Sequence, residues 1–295
     1  MDYSARPFRS VLYIPGSKER ALEKARMLPA DAIIFDLEDS VAPAEKVRAR
    51  ETLAAALTQG GYGRRSCLVR INGFESDWAE DDLAAVGATG PEAILLPKVS
   101  RAADIERIAA MLDAMPETKD TLIWAMLETC EGALNALEIA SASPRMAGFV
   151  MGTNDLGKEL MARSVPDRGP MITPLSLCLL AARARRLAVV DGVYNAFKDL
   201  DGLRAEAKHG RDMGFDGKTL IHPAQIEIAN EVFAPSEAEL ELARRHIAAF
   251  EEAKAAGQGV AVVDGKIVEN LHVETARKLL GRAEAVAALE EGDAA

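Results

Sequence analysis

The chain is predicted to fold as a (β/α)8 TIM barrel followed by a C-terminal helical extension. Eight short apolar runs, each bounded by polar or turn-forming residues, alternate with amphipathic stretches of helical period. Several of these runs end in a charged residue, the arrangement by which a barrel presents its chemistry at the C-terminal edge of its strands. No Gly-x-Gly-x-x-Gly follows the first strand, which weighs against the alternative, a doubly wound open sheet.

Residues 10–15 (Ser-Val-Leu-Tyr-Ile-Pro) read as the first strand, broken by Gly16-Ser17, with Ser17 able to cap a helix over 18–27. Residues 32–38 (Ala-Ile-Ile-Phe-Asp-Leu-Glu) are the second strand, and Pro43 opens a helix to about residue 57. Residues 67–72 and 93–98 are the third and fourth strands, with a helix over 102–112 after the fourth. Residues 122–129 (Leu-Ile-Trp-Ala-Met-Leu-Glu-Thr) are the fifth, an uncharged run that meets Glu128 and reads as a strand buried on both faces. A helix over 131–140 precedes the sixth strand, 148–155, which ends in Asp155. Residues 158–173, polar and rich in turn formers, read as an extended loop before a helix over 174–186. Residues 188–193 are the seventh strand, 200–213 a helix stopped by Gly214, and 217–222 the eighth strand, with the last barrel helix after Pro223. The barrel thus takes residues 1–233. Residues 234–295 form the extension: a helix from Ser236 to about 256, a β-leaning stretch that turns at Asp264-Gly265, and a helix over 271–288.

The 295 residues carry 35 Lys and Arg against 46 Asp and Glu, a net charge of -11, and the pI is about 5.0. That balance argues against nucleic acid or an anionic membrane as the main partner, although a local basic patch would suffice for a phosphorylated ligand. Cys67, Cys130 and Cys178 are far apart with no Cys-x-x-Cys, the usage of reduced thiols in a cytoplasmic protein. The N-terminus lacks the apolar core of a signal peptide, and no run reaches transmembrane length. Met126, Met146, Met151 and Met161 read as core residues, as do Cys67 and Cys178.

A barrel gathers its strand ends into one ring, here Lys18, Glu38, Asp39, Arg70, Asn72, Lys98, Glu128, Asp155, Asp191 and His222. So many acids in one ring repel unless a cation or basic partners intervene. Glu128 and Asp155 are expected to share one hard divalent cation, Mg2+, with waters and substrate completing an octahedron. No His-x-x-x-His motif or Cys/His cluster suggests zinc. Arg70 would face the site as a clamp for a developing oxyanion. Each residue has a plainer reading. Glu128 and Asp155 precede helices and suit capping, Arg70 suits a buried ion pair with Glu38, Glu38-Asp39 suits a helix start, and His222 suits a core histidine.

Several motifs recur in order: Ser-Val-Leu-Tyr-Ile-Pro-Gly-Ser, Ile-Ile-Phe-Asp-Leu-Glu-Asp-Ser-Val, Val-Arg-Ile-Asn-Gly, Leu-Leu-Pro-Lys, Met-Leu-Glu-Thr and Gly-Lys-Thr-Leu-Ile-His-Pro. Together they resemble the citrate lyase β-subunit-like family of the HpcH/HpaI aldolase group, near its malyl-CoA and citramalyl-CoA lyases and malyl-CoA thioesterases. The resemblance runs from Phe8 to about residue 280. It implies a Mg2+-dependent barrel acting on CoA thioesters, assembled as a homotrimer or homohexamer, in which the extension of one subunit covers the next subunit's active site. Glu128 and Asp155 match the family's metal-binding acids, and Arg70 its substrate-contacting arginine. Glu38 and Asp39 match the acidic pair beside the metal waters, and Tyr13, Lys18 and Lys24 match contacts to the CoA nucleotide. The expected reaction is retro-Claisen C–C cleavage of a malyl-CoA or citramalyl-CoA type substrate to a 2-oxo acid and an acyl-CoA; hydrolysis of the thioester is the alternative. One departure favours the alternative: Glu269 stands where the family usually has an Asp acid/base, and its extra methylene shifts the carboxyl.

Overall fold

Short runs of Val, Ile, Leu and Phe become strands here because helices cover one face and the barrel interior takes the other. The computed structural model describes residues 6–293. The strands are β1 (Ser10–Pro15), β2 (Ala32–Asp36), β3 (Ser66–Arg70), β4 (Ala93–Leu96), β5 (Leu122–Leu127), β6 (Met146–Met151), β7 (Ala188–Asp191) and β8 (Gly217–Leu220). They pair in sequence order and all in parallel, with Val11 opposite Ala32 at the first pair and Ser10 opposite Lys218 where β8 closes on β1. This is a (β/α)8 barrel, and every residue of β2, β4, β6, β7 and β8 is buried.

The helices of this unit are α1 (Glu19–Ala25), α2 (Lys46–Gln59), α3 (Ala79–Gly87), α4 (Ala102–Asp113), α5 (Cys130–Leu134), α6 (Ala136–Ser141), α7 (Thr153–Glu159), α8 (Gly169–Ala184), α9 (Leu200–Met213) and α10 (Ile226–Phe233). Two lie where none was expected. The segment of α3 puts Glu80, Asp81 and Asp82 in its first turn, where the helix dipole favours acids. The segment of α7 lies where the strand pattern was read through to residue 155. The expected helix over 131–140 divides at Asn135, whose φ of -93° and ψ of 9° are not helical and whose side chain donates to Ser100 O at 2.9 Å. The helix expected from Pro174 begins five residues earlier, at Gly169. Pro170 takes the first-turn position that Pro174 was expected to occupy, and Pro174 lies inside the helix.

The strand ladders also stop early. The strands end at Asp36, Arg70, Leu96 and Leu127, so Glu38, Asn72, Lys98 and Glu128 lie in the loops just beyond. That places them at the mouth rather than in the wall. Met126, Met146 and Met151 are core, but Met161 is 90% exposed in the loop after α7. Cys178 is buried, while Cys67 and Cys130 are half-buried.

The chain divides into two compact units, one over Phe8–Phe233 and a second that takes in residues 6–7 together with those from Ala234 on. The second unit holds α11 (Glu237–Ala255), a hairpin of β9 (Ala261–Val263) and β10 (Lys266–Val268), and α12 (Asn270–Asp293). Ser236 and Glu239 form a capping box at the start of α11. The hairpin turns at Asp264-Gly265, with φ of 50° and 74°, the pair of left-handed residues that a tight two-residue turn requires. Ala253, Ala261, Val263, Val268 and Val273 form a small core of its own, with Ile247 and Phe250 packed against it.

Candidate active site

Arg70 organises the mouth of the barrel. It ends β3, and its guanidinium is buried. Nε and Nη2 donate to the two oxygens of Asp36 at the end of β2, each at 2.7 Å. Nη1 faces Glu38 at 2.8 Å and Asp39 at 3.7 Å, and donates to Met126 Sδ at 3.8 Å. The phenol of Tyr13 lies beneath, with the guanidinium carbon 4.9 Å from its ring centroid. The ion-pair reading of Arg70 with Glu38 therefore holds, but its principal partner is Asp36. The charge of Arg70 overcomes burial to hold Asp36 below the usual carboxylate range.

Glu128 comes from the end of β5. It caps no helix: Thr129 is the N-cap of α5, and Glu128 Oε1 accepts from the Lys98 N–H at 2.8 Å. Asp155 sits in the first turn of α7, just beyond the neighbouring strand β6, where Leu127 is opposite Met151. The two acids are close enough for the charge of Asp155 to act on Glu128. The approach depends on Gly152, where a Cβ would lie 2.3 Å from Glu128 Cβ and 2.5 Å from its Oε2. Glu38 is buried next to them, with Lys98 Nζ 3.2 Å away, and that ammonium also meets Glu75 at 3.3 Å.

This cluster is under-neutralised. Asp36, Glu38, Asp39, Glu75, Glu128 and Asp155 are answered by Arg70 and Lys98. The nearby Lys46 ammonium is engaged by the carbonyls of Leu37 and Glu38 and by Asn72 Oδ1. Burial, and then the charge of Glu38, push Glu128 up to about 8; the Lys98 N–H and Arg70 oppose the rise and Asp155 adds to it. Burial likewise raises Glu38, against the pull of Arg70. Both Glu38 oxygens are sealed from solvent and, despite the two nearby cations, neither accepts a well-aligned hydrogen bond. A divalent cation with its waters would relieve both the repulsion and the orphaned oxygens. Among the described residues no three His, Cys, Asp or Glu side chains converge on one point. Two carboxylates completed by water and substrate suit Mg2+.

The remaining expected residues lie apart from this cluster. Lys18 is exposed and lines a recess of about 360 Å³ with Ser17, Glu19, Arg20, Arg48 and Thr52. Lys24 is exposed in the last turn of α1. Glu269 belongs to the second unit; its N–H donates to His272 Nδ1 at 3.0 Å, and its exposed carboxylate has no partner among the described residues. His222 is exposed rather than core. Its Nδ1 accepts from the Ala224 N–H at 3.1 Å, and its ring stacks on Phe197 at 4.8 Å. Asp191 is buried against Arg168 and Lys218, away from solvent, and serves structure. Three contributors escaped the sequence reading. Asp36 looked like a strand residue, Gly152 carries no chemistry of its own, and the part of Lys98 that touches Glu128 is backbone.

A (3S)-malyl-CoA thioesterase of Cereibacter sphaeroides is 64% identical over 98% of this chain and 99% of its own length, and the same enzyme from three further strains matches equally. An L-malyl-CoA/beta-methylmalyl-CoA lyase of the same species is 33% identical over 96% of this chain and 97% of its own. These findings overturn the expectation of C–C cleavage, because the relatives that are nearly twice as similar are hydrolases. Among solved structures, protein CitE of Mycobacterium tuberculosis in complex with magnesium, acetoacetate and coenzyme A superposes with a TM-score of 0.77 at 30% identity, covering 96% of this chain and 99% of that one. The model of the HpcH/HpaI aldolase/citrate lyase family matches residues 9–223, and the chain belongs to that family.

Proposed function

We propose that this chain is a Mg2+-dependent thioesterase that hydrolyses (3S)-malyl-CoA to malate and free CoA. The observation that carries the reading is the full-length 64% identity to enzymes of that name. Glu128 and Asp155 would hold the ion, which when bound supplies a Lewis acid that orients and polarises the malyl oxygens. Arg70 Nη1, which rests 2.8 Å from Glu38, is the prong of the guanidinium not held by Asp36 and would turn to a substrate oxygen, while the Asp36 pair keeps the group from swinging away. Water adds to the thioester carbonyl and gives up a proton to a base. The C–S bond then breaks, and the thiolate of CoA takes a proton. We assign the base to Glu269, whose carboxylate is exposed and unengaged, and which would be delivered by a second copy of the chain in a homotrimer or homohexamer. Lys18, with the basic recess around it, and Lys24 would meet the phosphates of the CoA nucleotide.

The test follows thiol and keto acid together from (3S)-malyl-CoA, with Mg2+ and with EDTA. Thiol and malate should appear in equal amounts without glyoxylate, and EDTA should stop both. Glyoxylate and acetyl-CoA produced in equal amounts would sink the hydrolase reading. Light scattering should give three or six times 31.6 kDa.

A further inference from the structure

We propose that Lys98 is the positioning residue that couples the two acids of this site, aligning Glu128 through its backbone and Glu38 through its ammonium. The proposal rests on the metal-site reading above. Lys98 follows Pro97 just past β4 and has a left-handed φ of 53°, a conformation uncommon for a residue with a long side chain. That turn brings both ends of one residue to the same cluster. The N–H donates to Glu128 Oε1 at 2.8 Å, while Nζ lies 3.2 Å from Glu38 Oε1.

The surrounding hydrogen bonds hold the turn. Val99 N–H donates to Met126 O at 3.3 Å, tying the segment to β5. Ser100 Oγ pairs with Thr129 Oγ1 at 2.8 Å, and Asn135 Nδ2 donates to Ser100 O at 2.9 Å. Thr129 is itself the cap of α5, so residues 98–100 are stitched to the strand and helix that flank Glu128. With Oε1 occupied by a fixed donor, Glu128 presents Oε2 toward Gly152 and the mouth. An outer partner that orients a ligating carboxylate typically changes metal affinity by about 10–100-fold when removed.

Two substitutions separate the two roles. Lys98→Gly keeps the left-handed turn and its N–H but removes the ammonium. Lys98→Val removes the ammonium and also disfavours the turn, because a β-branched residue resists positive φ. Calorimetric titration of the metal-free protein with Mg2+ reads the backbone role without turnover. Lys98→Val should weaken binding about 10–100-fold, and Lys98→Gly should bind within about threefold of the parent protein. Thiol release from (3S)-malyl-CoA reads the ammonium role: Lys98→Gly should lose about 100-fold in kcat with little change in KM. Equal Mg2+ affinity in Lys98→Val and the parent overturns the backbone role, and a parent-like kcat in Lys98→Gly overturns the ammonium role. If Lys98→Val gives no cooperative melt, Lys98→Ala, which strains the turn less, should fall between the other two in Mg2+ affinity, and parent-like affinity there overturns the backbone role equally. A parent protein that binds Mg2+ but leaves malyl-CoA intact sinks only the substrate assignment, and the binding comparison still decides the backbone role. A parent that binds no Mg2+ at millimolar concentration overturns both.

Discussion

Single atoms set the spacing of the acids at the barrel mouth. Gly152 is the sharpest case, because the space a methyl group would need is already filled by Glu128. Gly152→Ala should displace the carboxylate by a substantial fraction of an ångström and cut thiol release by about 100-fold. The melting temperature would move far less than activity, since residue 152 is only half-buried at the rim; parent-like turnover would refute the crowding argument. Residue-level legibility follows from where the information resides. Glu128 and Asp155 stood out because a carboxylate after an apolar run announces itself in one dimension. Asp36 did not, because nothing local says that its partner is an arginine on the next strand. The backbone N–H of Lys98 was invisible for a related reason: a left-handed turn at lysine is imposed by the packing of residues 98–100 and has no glycine to mark it.

At the level of elements, the connection between α7 and α8 is fastened from one end. Arg168, left-handed with φ of 56°, precedes α8 and forms a two-pronged pair with Asp191 at 2.8 and 2.6 Å. Fully buried Lys218 adds contacts to Asp191 at 3.2 Å and Glu206 at 2.7 Å. Arg168→Ala leaves part of a buried charge unanswered and should lower stability by about 3 kcal/mol in urea denaturation. The same network dictates a pH response. Burial alone would raise the Asp191 carboxyl, but the charges of Lys218 and Arg168 overcome it and hold it below its ordinary value. A depressed folded-state pKa contributes stability above the unfolded value of about 3.9, and that contribution is lost as pH falls through the folded value. Asp191→Asn should therefore be less stable at pH 7 and show a shallower loss of stability in acid. A parallel acid profile would remove Asp191 from the account. The strands were legible because their burial on both faces leaves continuous apolar runs. The start of α8 was not, since two prolines four residues apart offer the same first-turn signal and only packing chooses between them.

For the molecule as a whole, the proposed Mg2+ site, with its excess of carboxylates, predicts that the ion would stabilise the folded state. At Mg2+ a hundredfold above its dissociation constant the gain is about 2.7 kcal/mol, so the melting temperature should rise by several degrees and fall back with EDTA. A melting temperature indifferent to Mg2+ would count against Glu128 and Asp155 as its ligands. Family and architecture were legible across the chain because the motifs sit at successive strand ends in fixed order. The reaction was not, because cleavage of a carbon–carbon bond and hydrolysis of a thioester can use one set of metal acids and one arginine; the expectation of a lyase fell to the 64% identity with hydrolases. The return of β8 to β1 has a further consequence. A sheet that closes on itself leaves no row of unpaired amides for a neighbouring chain to extend, which protects eight apolar strands from templated aggregation. Among the described residues the other sheet is the hairpin of β9 and β10, two strands of three residues each and too short to seed a fibril, so the conditions that endanger this protein are those that open the barrel seam.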